Sequence, residues 1–500
     1  MHAWPADPEN ISKTALPRRF LRTALNKTGD PVFDGTLRQG LAVQLEQSPF
    51  LNLLSEERIQ QVLPLMGKAA DAPLTPAIAR EICERTGSAA VLDGSIARIG
   101  SQYVLGLRAR NCRNGDTLDE EQVQVARAED VLNALSQIAS KFRVRVGESL
   151  ATVKTHDRPL AEVTTTSLEA LKAYTTALGV GYTSGHIASV PLLRRAVEID
   201  PKFALAYSHL GMSYASMGEI ARAAESLKKA YELRDRASEK ERYFIAANYD
   251  LQVTGDLEKA RQTCELWAQT YPRDKEPHGL LSSLIYQQLG KFERSIQEGK
   301  TAVEIDPDFT PGYNNQIWSN LYLDRVEEAG NVLRQATARK LEMEDFFVLR
   351  YYIAFLKGDA AGMERAAAMA QGKPGVEDWV LDEQAMASAY SGHRKQARDL
   401  SRRAIEMAKQ GSHRDKAAIY TAGGAVTDAF FGYAPEARQS ANAALALSDG
   451  RDVEYGAAFA LALPASPAGL WRWRTISKSD SARIRLCGSL TCRCCAPWRR

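Results

Sequence analysis

A turn glycine that returns about every 34 residues constrains this chain more than any other feature. It stands at Gly218, Gly255, Gly290, Gly358, Gly392 and Gly432, with Asp324 in the place between Gly290 and Gly358; successive spacings are 37, 35, 34, 34, 34 and 40. Five positions after most of them comes a small residue: Ala223, Ala260, Ser295, Ala329, Ala397 and Ala437. Helix-stopping prolines recur as well, at Pro201, Pro272 and Pro307. A repeat of this length is one supersecondary unit that cannot bury its apolar face alone, so the units must stack to share a core.

The clearest unit runs from Ala206 to Ala230. Tyr207, Leu210, Gly211 and Tyr214 fall on one face of a first helix, and Ala223, Leu227 and Ala230 on the facing side of a second, with Gly218 in the turn between them. Small residues at Gly211 and Ala223 let two helix backbones approach, while Tyr214 and Leu227 fill the space beside them. This pattern resembles the tetratricopeptide repeat, over residues 164–463 and from Leu168 onward, in seven or eight helix pairs. The resemblance implies a mainly α fold, an α-solenoid whose first helices line a concave groove, and a protein or peptide partner held there. Arg242, Tyr249, Gln287, Asn314, Asn315 and Trp318 are expected to point into that groove. Paired amides at Asn314 and Asn315 suit the backbone of an extended peptide, and Trp318 supplies apolar area. Packing between repeats is the other reading of Trp318.

Residues 28–154 follow a different pattern. Leu37, Leu41 and Leu45 form a helical stripe, a second helix runs from Ser55 to Met66, and Thr75 with Pro76 opens a third. Alternating segments then follow at residues 89–99, 102–110 and 118–126, with Gly100-Ser101 and Asn114-Gly115-Asp116 as turns, and predict a strand meander before a helix over 131–150. This is a small α+β domain. Thr28-Gly29-Asp30-Pro31, Leu92-Asp93-Gly94-Ser95-Ile96 and residues Asn111 to Asp116 resemble the TolB-amino-terminal or FlgO-like domains of bacterial signalling proteins. Together with the repeats, the chain resembles the carboxy-terminal half of membrane-tethered bacterial serine/threonine protein kinases, which implies such a kinase as partner. That family opens with an apolar strand where this chain has Arg18-Arg19-Phe20-Leu21-Arg22. Residues 1–27 therefore read as an irregular basic start, and the sheet is expected to lack a central member.

Charge is informative once the end of the chain is set apart. The formal net charge is +3, but residues 464–500 alone hold seven Arg, one Lys and one Asp, so the remainder is mildly acidic and carries no basic footprint for nucleic acid. That tail also holds four of the seven Cys and no Glu. Read one base out of register, plausible codons for Arg474 to Ser481 give a helix-like Ala-Asp-Asp-Leu-Glu-Lys-Arg-Phe, so the tail is expected to be a frame-shifted remnant of the last repeat. Cys83, Cys112 and Cys264 stand isolated, which suits a reducing compartment and argues against a disulfide framework. No apolar run reaches the roughly 18 residues of a membrane span, and no signal peptide is evident. The expected location is cytoplasmic, or extracytoplasmic if the chain is the severed end of a tethered kinase. His413-Arg414-Asp415 lacks the metal-holding Asn five residues on, where Tyr420 stands, and Met66-Gly67-Lys68 lacks the upstream glycine of a phosphate loop. The Cys487 to Cys495 cluster has no second ligand pair for zinc. No catalytic residue, metal or cofactor is expected.

Overall fold

The computed structural model describes residues 19–69, 72–217, 219–373, 375–411 and 413–463. Gly218, the 464–500 tail with its cysteine cluster, and residues 1–18 lie outside the described residues. The chain divides into two compact units. One holds residues 19–214, 222–249 and 265–274; the other holds 215–221, 250–264 and 275–463.

The first unit is built on a five-stranded mixed sheet of order β2-β1-β3-β4-β5. Its strands are β1 (Arg19–Lys27), β2 (Asn52–Leu53), β3 (Ala90–Ile99), β4 (Gln102–Asn111) and β5 (Thr117–Val125). β1 runs parallel to both β2 and β3, while β3, β4 and β5 form the antiparallel meander that the turn residues foretold. Helices α1 (Thr36–Leu45) and α4 (Val131–Arg145) pack on one face, α2 (Glu56–Leu65) and α3 (Pro76–Arg85) on the other. Alternation along β1 divides the two cores: Phe20 meets Phe142 of α4 edge-on, and Leu21 joins Leu54, Ile59, Val62 and Ile82.

Two expectations are corrected here. Residues 19–27 are not irregular, and the sheet does have its central strand. Phe20 and Leu21 are wholly buried, and the arginine between them and the turn is absorbed rather than exposed, since Arg22 Nη1 donates to Leu54 O at 2.9 Å. Backbone pairing on both sides holds a segment whose side chains are poor strand material. Nor are Cys83 and Cys112 isolated: Cys83 of α3 and Cys112, just past β4, form a disulfide with Cα atoms 5.7 Å apart. Both are buried in the α2–α3 core, where the sheet brings together residues 29 apart in sequence.

α1 is covered on its other side by α7 (Leu168–Ile199), so the sheet domain shares a core with the first helix of the repeat region. A Cβ placed on Gly181 would meet Ser189 Cβ at 3.6 Å; eight residues of straight helix would span about 12 Å. α7 therefore doubles back on itself, as a repeat's helix pair should. Between α4 and α7 lie α5 (Leu150–His156) and α6 (Leu160–Val163), and beyond α7 come α8 (Ala204–Ser216), α9 (Ile220–Glu232) and α10 (Glu239–Tyr249), with α11 (Leu257–Thr270) divided between the units.

The α4–α6 connection is tied down by polar groups. Arg143, fully buried, makes a two-pronged bond to Glu148 at 2.6 and 2.9 Å and reaches Asp157 Oδ1 at 3.0 Å. Asp157 also accepts from Gln44 Nε2 of α1 at 2.7 Å. Further along, His156 Nδ1 lies 2.6 Å from Glu239 Oε2, which the Tyr271 hydroxyl also reaches at 3.1 Å, and Arg158 Nη1 donates to the carbonyls of Asp235 and Ala237.

α10 opens on a reciprocal cap: Ser238 N–H donates to Glu241 Oε2 at 2.9 Å and Glu241 N–H to Ser238 Oγ at 3.3 Å. Burial, with Glu46 nearby, pushes the Glu241 carboxyl up to about 7. The folded chain holds this proton up to about pH 7, whereas the unfolded chain releases it near 4.5. The group therefore favours folding below its unfolded pKa, and that contribution is lost as pH rises through 7. Burial lowers His209 to about 4, which acts in the opposite sense, favouring the unfolded chain as pH falls below 6.5. Glu241→Gln keeps the acceptor and removes the charge. The expected result is a gain of about 1–3 kcal/mol at pH 8 that shrinks to under about 1 kcal/mol at pH 5 and vanishes below about pH 4, read by urea unfolding of both proteins at each pH.

The second unit is a run of stacked antiparallel helices. It comprises α12 (Lys275–Leu280) with a π-helical turn over Leu281–Tyr286, α13 (Phe292–Ile305), α14 (Thr310–Tyr322), α15 (Val326–Ala338), α16 (Glu344–Leu356), α17 (Ala360–Ala370), α18 (Glu377–Tyr390), α19 (Arg394–Gln410), α20 (Arg414–Phe430), α21 (Ala434–Leu447) and α22 (Arg451–Ala462). A left-handed residue ends the first helix of successive pairs: Gly290, Gly358, Gly392 and Gly432 have φ of 67°, 67°, 80° and 80°, and Asp324, standing in for glycine, has 61°. Helix pairs touch backbone to backbone where side chains vanish. A Cβ on Gly299 would lie 3.0 Å from Gly312 O, and one on Gly312 would lie 3.1 Å from Gly299 O. The same holds in the first unit at Gly211, where a Cβ would meet Leu227 Cγ at 2.6 Å and Ala223 O at 3.1 Å. Tyr214, Ala223, Leu227 and Ala230 are buried and Tyr207 is partly so. The fold is thus mainly α, a solenoid-like series of helix pairs preceded by a small α+β sheet region.

Candidate partner-binding surface

The first helices of successive pairs in the second unit, α14, α16, α18, α20 and α22, contact one another in turn, so their outward side chains form one continuous strip. At the α12–α14 end the strip is polar but largely self-satisfied. Gln287 Nε2 donates to Asn315 O at 3.1 Å and to Ser319 Oγ at 3.0 Å, and Ser282 and Ser295 bond to each other's carbonyl oxygens at 2.8 and 2.6 Å. Asn315 is buried, and its Nδ2 reaches Gly279 O at 3.4 Å.

These contacts sort the sequence-derived groove residues. Asn315 serves packing between helices, and so does Trp318, which is 7% exposed, stacks on Tyr322 at 6.0 Å and meets Tyr352 edge-on at 5.6 Å. Burial of Trp318 matches the packing alternative already open for it, and Asn315 turns inward while Asn314, one residue and about 100° away round the helix, stays partly exposed. Asn314 is partly exposed, with Oδ1 unbonded among the described residues. Gln287 is partly exposed but committed. Arg242 and Tyr249 belong to the first unit, where both are partly buried and Tyr249 stacks on Tyr231 at 4.1 Å.

Farther along the strip, α16, α18 and α20 bring together residues that sequence reasoning passed over. Lys416 of α20 pairs with Asp378 Oδ2 of α18 at 2.9 Å, and the Tyr420 hydroxyl donates to the same oxygen at 3.1 Å. Trp379 Nε1 donates to Glu383 Oε1 at 3.2 Å. Tyr351 of α16 and Asp382 of α18 complete the group. A signal was present: Glu377, Asp378, Asp382 and Glu383 put four acids within seven residues of one helix, around Trp379.

The kinase-like tripeptide has a plain structural place. His413 precedes α20, and Arg414 Nη2 donates to Ala446 O at 3.3 Å. Among the described residues no three His, Cys, Asp or Glu are grouped as metal ligands, and no helix is long and apolar enough to cross a membrane.

The tetratricopeptide repeat family matches residues 204–236 and 280–309. No curated protein matches the sequence. Among solved structures, the type IV pilus biogenesis factor PilW is similar at 18% identity over 41% of this chain and 93% of its own, with a TM-score of 0.31. A tetratricopeptide repeat protein from Parabacteroides merdae is similar at 13% identity, covering 48% of this chain and 94% of its own, with a TM-score of 0.34. The LpoB carboxy-terminal domain from Salmonella enterica is similar at 16% identity, covering 23% and 87%, with a TM-score of 0.21.

Proposed function

We propose that this chain is a protein-interaction scaffold that takes a segment of a partner along the first-helix strip of its repeats. The observation that carries this reading is the strip itself: first helices that contact one another in turn and carry partly exposed polar side chains, Asn314, Asp382 and Lys416 with Trp379 among them. Tetratricopeptide repeats at residues 204–236 and 280–309 support it. The test is selection of displayed peptides on the purified full chain. Related peptides should enrich and bind with roughly micromolar Kd, and hydrogen exchange should slow in α14, α16, α18 and α20. If no sequence enriches over a randomised background, the scaffold reading fails.

A second reading is a sensory or regulatory portion of a bacterial serine/threonine kinase system. The core shared by α1 and α7 favours it, because it makes the sheet domain and the first repeat one mechanical piece. A kinase reading frame beside this gene is what that reading expects.

A further inference from the structure

The face shared by α16, α18 and α20 holds more carboxylate than cation. Asp378, Asp382 and Glu383 lie on α18 and Glu344 opens α16, against the single ammonium of Lys416, with His413 at the rim. Lys416 is already committed, since Nζ pairs with Asp378 and donates to Gly375 O at 2.6 Å. Asp382 has no hydrogen bond or ion pair among the described residues. Burial, with Glu383 and Asp378 beside it, pushes its carboxyl well above the usual range. Tyr351 adds a second, independent observation. It is 4% exposed, its hydroxyl has no hydrogen-bond partner among the described residues, and Glu383 is the charge it faces.

The chemistry of that guest follows from the walls. These acids do not gather as metal ligands. Trp379 and Tyr420 flank them, and Lys416 Nζ sits 6.0 Å and 5.9 Å from the two ring centroids, so one ammonium is already seated between these rings. Aromatic faces beside desolvated carboxylates suit an organic cation.

We propose that this face is an acidic, aromatic-walled subsite that takes a lysine or arginine side chain of the partner segment. Asp382 and Glu383 are its counter-ions, and the Tyr351 hydroxyl accepts one of its N–H groups. The proposal deepens the scaffold reading and rests on it.

The peptides selected on the full chain are the probe. They should share a basic residue at one fixed position, and changing it to Gln should weaken binding at least tenfold. Asp382→Asn should weaken the parent peptide by a similar factor yet add little to the loss from the Gln peptide, because the two changes remove the same contact. Asp382→Asn should also unfold no earlier than the wild type, since Asp382 has no internal partner to lose. Glu344→Gln at the rim serves as a second variant with a smaller loss in the same direction. Peptides that enrich without a basic anchor, or that bind Asp382→Asn as tightly as the wild type, overturn the subsite and leave the scaffold intact. Failure of any peptide to enrich overturns both.

Discussion

Arg143→Ala is expected to destabilise the first unit by about 3–5 kcal/mol. The guanidinium is completely buried, and Glu148 beside it is 2% exposed at its side chain. Removing the cation leaves Glu148 without its counter-charge in a place water does not reach, and leaves Asp157 with only neutral donors. The loss is larger than a surface pair would give, because desolvation of the stranded carboxylates is not recovered. Arg143→Met with Glu148→Met should do much better than Arg143→Ala, since it removes the charges together and fills the volume. The measurement is urea unfolding with hydrogen exchange over residues 131–164. A change under about 1 kcal/mol for Arg143→Ala would place the hold between α4 and α6 elsewhere.

Reducing the Cys83–Cys112 bond is expected to cost about 3–4 kcal/mol, the chain-entropy value for a loop of 29 residues. For a unit of this size that lowers the melting temperature by roughly 10 °C. The loss should fall on the sheet domain, because the bond ties α3 to the end of β4. Melting the oxidised chain with and without a phosphine reductant checks this, with Cys83→Ser/Cys112→Ser as the control that should not respond. Both thiols alkylating in the unreduced, denatured chain would mean the bond is not formed.

The helix pairs were legible because their period is local. Gly290, Gly358 and Gly392 mark turns that need a left-handed residue, and the 34-residue spacing survives even where Asp324 replaces the glycine. The meander from Ala90 to Val125 was legible for the same reason, through alternation and the Asn114-Gly115 turn. What escaped was set by contacts remote in sequence. β1 takes its conformation from β3, and buried Arg22 is received by a carbonyl of Leu54. Cys83 meets Cys112 only once the sheet has formed. For Asn315 and Trp318 the choice between groove and packing could not be read from polarity and size, which do not say which side of a helix faces a neighbour. The acidic face needs three helices to be recognised, and only its α18 portion is written in one stretch of sequence.

The place of β1 has a consequence for synthesis. Among the described strands it emerges first, yet its register partner for Phe20 is Ala90. At about 5–20 residues per second the ribosome takes roughly 4–14 s to supply that partner. Throughout that interval Leu21 can find Leu54, Ile59 and Val62, but Phe20 lacks Phe142 of α4, and the edge of the strand that β3 will pair stays open. The β3 side of the sheet must close late, so a nascent chain paused before residue 90 presents an unpaired strand edge to any chaperone, or to another nascent chain, within reach.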